Sequence, residues 1–223
     1  MVQPSDLPQG IPDSSLMIAI VDYGLGNLRS INNMLDRAGV QSVISSEPDI
    51  LRAASKLILP GVGHFRFGMK SLHERGLVEV LNERVLEARV PILGICLGAQ
   101  LLGERSEEGD SSGLNWVPMS TVAFERVQMQ HGEKVPHMGW ATTSHTECAL
   151  FRGMSEAPRF YYVHSYHFRC DDPGLVICTA EHGYRFASGV AFGNILGVQF
   201  HPEKSHVYGQ RLLKNFAFMN FTE

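Results

Sequence analysis

Cysteine is scarce. The 223 residues hold only Cys96, Cys148, Cys170 and Cys178, scattered without the spacing of a disulfide framework, which fits a reducing, cytoplasmic setting. No apolar run approaches the ~18 residues of a membrane span, so none is expected. Positive charge is not in excess. Nineteen Lys and Arg against 23 Asp and Glu give a net charge of −4, which lacks the electrostatic footprint of a nucleic-acid binder. Internal repeats are missing, and so is any interior linker long enough to separate domains. Residues 1–15 carry Pro4, Pro8, Gly10 and Pro12 among Ser and Asp, without the basic and apolar pattern of a signal peptide. They read as a disordered extension or cloning remnant ahead of one domain over residues 16–223. The turn at Gly24-Leu25-Gly26 lacks the third glycine of a dinucleotide fingerprint, so no such cofactor is expected.

What remains is a chain 44% hydrophobic and 19% charged, enough for one sizeable core. Apolar runs at residues 16–21, 41–45, 57–59 and 90–96 read as strands. Helical spacing follows at Leu28, Ile31 and Leu35, at 49–55, and over 68–88 with a break near Gly76. Residues 116–150 alternate irregularly. Residues 160–167 read as one aromatic-rich strand, 175–180, 188–192 and 194–200 as three more, and a last helix begins near Ser205. This alternation predicts an α/β fold with a central mixed sheet and helices on both faces.

Gly94-Ile95-Cys96-Leu97-Gly98 is the chemical focus. A G-x-C-x-G sequence between a strand and a helix is the cysteine version of a nucleophile elbow. It lifts Cys96 to a helix start, where unpaired N–H groups favour a thiolate. The plainer alternative is a small apolar residue packed in a tight turn. Far downstream stands Gln199-Phe200-His201-Pro202-Glu203. His201 suits a general base and Glu203 an orienting carboxylate, with extended chain pointing positions i and i+2 the same way. A cysteine, a histidine and a carboxylate complete the logic of a triad. Pro60-Gly61-Val62-Gly63 at a strand end can free backbone N–H groups for a developing oxyanion, or can simply be a tight turn. His164, His167 and Cys170 share a three-residue spacing, but no metal is expected.

The elbow and the His-Pro-Glu element together resemble class I glutamine amidotransferases. Asp22-Tyr23-Gly24 with Gly26-Asn27-Leu28, Pro60-Gly61-Val62-Gly63 and Pro136-His137-Met138-Gly139-Trp140 resemble the HisH branch, the glutaminase subunits of imidazole glycerol phosphate synthase. The resemblance spans Met17 to the C-terminus. It implies a cofactor-free enzyme that hydrolyses glutamine through a thioester on Cys96 and passes ammonia to a HisF-like cyclase in a heterodimer. It implies oxyanion donors at Gly61, Val62, Gly63 and Leu97. It implies substrate contacts from Gln100, Glu108, His164, Ser165 and Tyr166, and a partner junction at His137, Met138 and Trp140. Ala141 stands where the branch usually has Asn. Three alternatives stay open: a paralogous glutaminase feeding another synthase, for instance one making surface sugars; a γ-glutamyl cysteine hydrolase; and a non-catalytic module on the same fold.

Overall fold

A computed structural model describes residues 17–129 and 132–221. The expected extension at 1–15, and Leu16 of the first expected strand, lie outside the described residues. Five parallel strands form the centre, in the order β2 (Ser42–Ser45), β1 (Ile18–Val21), β3 (Lys56–Gly61), β4 (Ile92–Cys96) and β13 (Ile195–Val198). Antiparallel strands continue the sheet from β13 through β12 (Tyr184–Phe192) and β10 (Tyr166–Cys170) to β7 (Met119–Ala123). The short pair β5 (Arg105–Ser106) and β6 (Ser111–Ser112) ends it. A branch runs from β12 through β11 (Val176–His182) and β8 (His137–His145) to β9 (Arg159–His164). The sheet is therefore mixed.

Alternate residues of β1 enter opposite cores, as the period of a strand requires. Ala19 and Val21 pack with Leu51, Phe65, Leu72 and Leu77, which come from α2 (Pro48–Ala53), α3 (Phe65–Glu74) and α4 (Leu77–Asn82). Ile18 and Ile20 pack with Ile31, Leu35, Leu212 and Phe216, from α1 (Leu28–Arg37) and α6 (His206–Phe218). Helices thus cover both faces. α5 (Leu97–Leu101) is only five residues long and follows β4 with no loop.

The structure corrects several local expectations. Residues 116–150 contain two strands, β7, which pairs with β10, and β8, which pairs with β9 and β11. The segment 160–167 is two strands rather than one. β9 pairs with β8, while β10 pairs with β7 and β12, and the chain changes partners at Ser165. The helix expected over 68–88 starts at Phe65, breaks at Gly76 with φ 64°, and ends in a π-helical turn, Glu83–Glu87.

Candidate active site

The sheet register brings the two motifs together. Gly61, the last residue of β3, pairs with Cys96, the last residue of β4. Val198 at the end of β13 pairs with Ile95. Three parallel strands therefore release their chains side by side at one carboxyl edge, where open α/β sheets place their ligands.

Cys96 has φ 53° and ψ −113°, a left-handed conformation that a residue with a side chain rarely adopts. Such strain is held only where the surroundings enforce it, as at a nucleophile elbow. A Cβ on Gly98 would fall on the Leu59 carbonyl, so only glycine lets α5 press against β3.

His201 is completely buried, and its Nδ1 lies 2.8 Å from Glu203 Oε1. The pair does not meet through extended chain alone, as expected from the sequence. His201 is extended, with φ −103° and ψ 95°, but Glu203 sits inside a 3-10 turn, Pro202–Lys204, that curls its carboxylate back. The Ser205 hydroxyl fixes this turn, donating to the His201 carbonyl at 2.6 Å and accepting from the Tyr161 N–H at 3.0 Å. His201 Nε2 is buried without a hydrogen-bond partner. Burial alone would disfavour the imidazolium, but interaction with Cys96 and then with Glu203 outweighs it. The net effect pushes the pKa up to about 10.

A pocket of about 300 Å³ opens over Cys96. The structure brings Val62, Gly63, Leu97, Gln100, Glu108, His164, Ser165, Tyr166 and His201 to its walls. Gly61 and Glu203 do not line it. One oxygen of Glu108 accepts the Phe65 N–H at 2.7 Å, at the start of α3 directly after the Gly63-His64 turn. Gly63 has φ 107°, which favours glycine there.

Other expected site residues are distributed differently. Along β8 the side chains alternate. Met138 and Trp140 are exposed at 63% and 39%, while His137 turns inward and is buried. His137 is therefore not part of the exposed face that carries Met138 and Trp140. His137 Nδ1 instead meets His164 Nε2 at 3.0 Å, and its ring stacks on His182 with centroids 4.2 Å apart. Trp140 stacks on His206 at 5.3 Å. His164 and His167 fall on different strands. Both nitrogens of each ring are engaged, those of His164 by His137 and the Tyr166 carbonyl, those of His167 by the Phe168 carbonyl and the Tyr184 hydroxyl. Among the described residues no group of three His, Cys, Asp or Glu side chains is arranged to hold a metal.

Sequence reasoning missed Pro136 and Val163 in the pocket wall, Gln199 against the Cys96 sulfur, and Tyr23. The Tyr23 hydroxyl is buried without a partner beside Gly61. Burial, and then the charge of Cys96, raise its pKa. Tyr23 lies two residues past β1, and nothing local tells where its side chain will reach.

The sequence pattern of the family described as Glutamine amidotransferase class-I matches residues 19–220. The chain is 47% identical over 202 residues to "Imidazole glycerol phosphate synthase subunit HisH 2" of Pseudomonas aeruginosa, covering 90% of this chain and 98% of that protein. It is 45% identical over 201 residues to a subunit of the same name from Methanococcus maripaludis, covering 90% and 98%. It is 48% identical over 202 residues to the HisH subunit of Sulfurimonas denitrificans, covering 90% and 97%. Among solved structures, a glutamine amidotransferase superposes with a TM-score of 0.69 at 22% identity, over 89% of this chain and 96% of the other. A chain of PurLQS from Thermotoga maritima superposes with a TM-score of 0.64 at 17% identity, over 90% and 96%. These two show the shared fold. The elbow, the buried His–Glu pair and these matches together establish that the chain belongs to the class I glutamine amidotransferase family, within its HisH group.

Proposed function

We propose that the chain is the glutaminase subunit of imidazole glycerol phosphate synthase, in histidine biosynthesis. His201 holds the Cys96 proton as an imidazolium, and the thiolate attacks the side-chain amide carbon of glutamine. The oxyanion is held by backbone N–H groups of the Gly61–Gly63 loop and of Leu97. His201 returns the proton to the leaving nitrogen, and ammonia departs. Water then adds to the thioester carbon, and glutamate is released. Glu203 keeps the imidazole in register and balances its charge. Glu108 accepts the α-ammonium, and Gln100, His164, Ser165 and Tyr166 frame the rest of the substrate. The observation that carries this reading is the convergence of Cys96, His201 and Glu108 on one small pocket at the carboxyl edge of β3 and β4.

The ammonia acceptor is a HisF-like cyclase, which converts a ribulosyl formimino intermediate into imidazole glycerol phosphate and an aminoimidazole carboxamide ribotide. Support comes from the relatives' names, which are those of a synthase subunit, and from the exposed Met138 and Trp140 beside the site. A second reading has a specific observation behind it. Two relatives carry the name HisH 2, and Ala141 departs from the branch pattern. A paralogous glutaminase feeding another synthase is that reading.

The test is C96A in the presence of the cyclase. Glutamine turnover should vanish while ammonia-dependent synthesis persists. Substantial turnover by C96A overturns the triad. Failure to complement a histidine auxotroph, with glutaminase activity intact, favours the paralogue.

A further inference from the structure

Gln199 stands outside the triad, yet its side chain ends at the nucleophile. It is the first residue after β13 and is fully buried, with Nε2 3.6 Å from Cys96 Sγ. Partners, not shape, decide which end of a buried amide is nitrogen. Here they leave one assignment. The Tyr166 carbonyl can only accept, and it lies 3.3 Å from the end of the Gln100 side chain, so that atom is Nε2. The same Nε2 lies 3.0 Å from the Gln199 amide, which must therefore present Oε1. The NH2 of Gln199 then faces the sulfur. His164 anchors the start of this chain. Its Nδ1 donates to the Tyr166 carbonyl at 2.7 Å.

We propose that Gln199 is a catalytic donor to the Cys96 thiolate, held in its donating orientation by Gln100 and the Tyr166 carbonyl. The proposal rests on the triad reading above. An N–H aimed at sulfur stabilises the anion more than the neutral thiol, because hydrogen bonds to charged groups are the stronger ones. The donor acts again at thioester breakdown. Water adds to the carbonyl carbon and gives its proton to His201. The C–S bond breaks, its electron pair stays on sulfur, and the Gln199 N–H receives the re-formed anion.

Q199M keeps length and burial but removes the donor. In the full chain, the pH of half-maximal alkylation at Cys96 by iodoacetamide, read on that residue by peptide mass spectrometry, should move up by about one unit. At neutral pH kcat/KM for glutamine should fall about tenfold, and the trapped thioester fraction should rise. Q100M leaves Gln199 in place but frees its amide to turn, so the alkylation midpoint should move the same way by less. An unmoved midpoint in Q199M overturns the proposal, even where activity falls, because a packing defect lowers activity without moving it. If Q199M does not fold, an unmoved midpoint in Q100M overturns it equally. H201A measured in parallel separates the two readings. Retained turnover there defeats the triad, whereas lost turnover with an unmoved Q199M midpoint defeats only the role of Gln199.

Discussion

Glu203 Oε1 approaches His201 Nδ1 to 2.8 Å, and both side chains are 1% exposed. Loss of either partner therefore leaves the other buried with an unmet group. H201A removes the base and should abolish glutamine turnover. E203Q keeps the shape but not the charge, and should retain roughly one to two orders of magnitude more activity than H201A, as orienting carboxylates do in other triads. Equal steady-state rates in wild type and H201A would place the base elsewhere.

The charge of His201 can be read directly. Its pKa is pushed up to about 10, against burial, by Cys96 and then by Glu203. A raised value in the folded state means that this pair stabilises the fold fully below the ordinary value of about 6.5, and that the contribution is lost as pH rises through about 10. The imidazole NMR signal should show a cation at neutral pH. C96A should lower the midpoint most and E203Q less. A midpoint that C96A does not move would contradict the assignment.

The oxyanion loop is the expected point of partner control. Gly61 and Gly63 permit two orientations of the neighbouring peptides. A donor turned away costs about 10²–10³ in rate. Glutamine hydrolysis by the chain alone should accordingly be slow, and should rise by that order with the cyclase and its ligand bound. Three rates that agree within about a factor of two, against the decades set by a missing donor, would show a fixed loop.

G61A should destabilise the protein. The added Cβ would meet the Tyr23 hydroxyl, the Gly98 nitrogen at 2.7 Å and Leu97 Cβ at 2.9 Å. Overpacking of this kind typically costs about 1–3 kcal/mol. Y23F removes only the hydroxyl, so the double variant should recover part of the loss. Y23F alone should be neutral or stabilising, since that hydroxyl is buried without a partner. Urea midpoints decide both.

Acid should loosen the far wall of the pocket. Burial, and then the neighbouring His182, lower the pKa of His137 to about 4. Burial also holds His164 well below the ordinary value. Between about 4 and 6.5 the unfolded chain then binds more protons than the folded one, so stability falls as pH drops through that window. H137N keeps a donor for His164 and removes one titrating ring. Its urea midpoint should fall less steeply with acid than that of wild type.

Trp140 lies 39% exposed, flat against His206. If this face meets the cyclase, W140A should weaken binding by about 30-fold, the mark of an interface hot spot of roughly 2 kcal/mol. Glutaminase activity of the isolated chain should not change. Calorimetric titration with the cyclase subunit checks it.

The sequence by itself determined the elements whose cause is local. The elbow is legible because a tight strand-to-helix turn leaves room only for glycine at Gly98, which marks the motif within a few residues of sequence. The His201–Glu203 pair is legible because two residues and one proline confine the chain, although the confining unit is a 3-10 turn. Strands β1, β4 and β13 of the parallel centre are legible because they are apolar and buried on both faces. Tertiary structure decided what depends on pairing between distant segments. β8 has one exposed face and irregular composition, so only its registers with β9 and β11 make it a strand and turn His137 inward. Ser165 breaks an otherwise continuous aromatic run because two different neighbours claim its two ends. Gln199 reaches Cys96 across 103 residues of sequence. Side-chain period assigns a residue to a face, but only the stacking of β13 beside β4 sets which sulfur lies on that face.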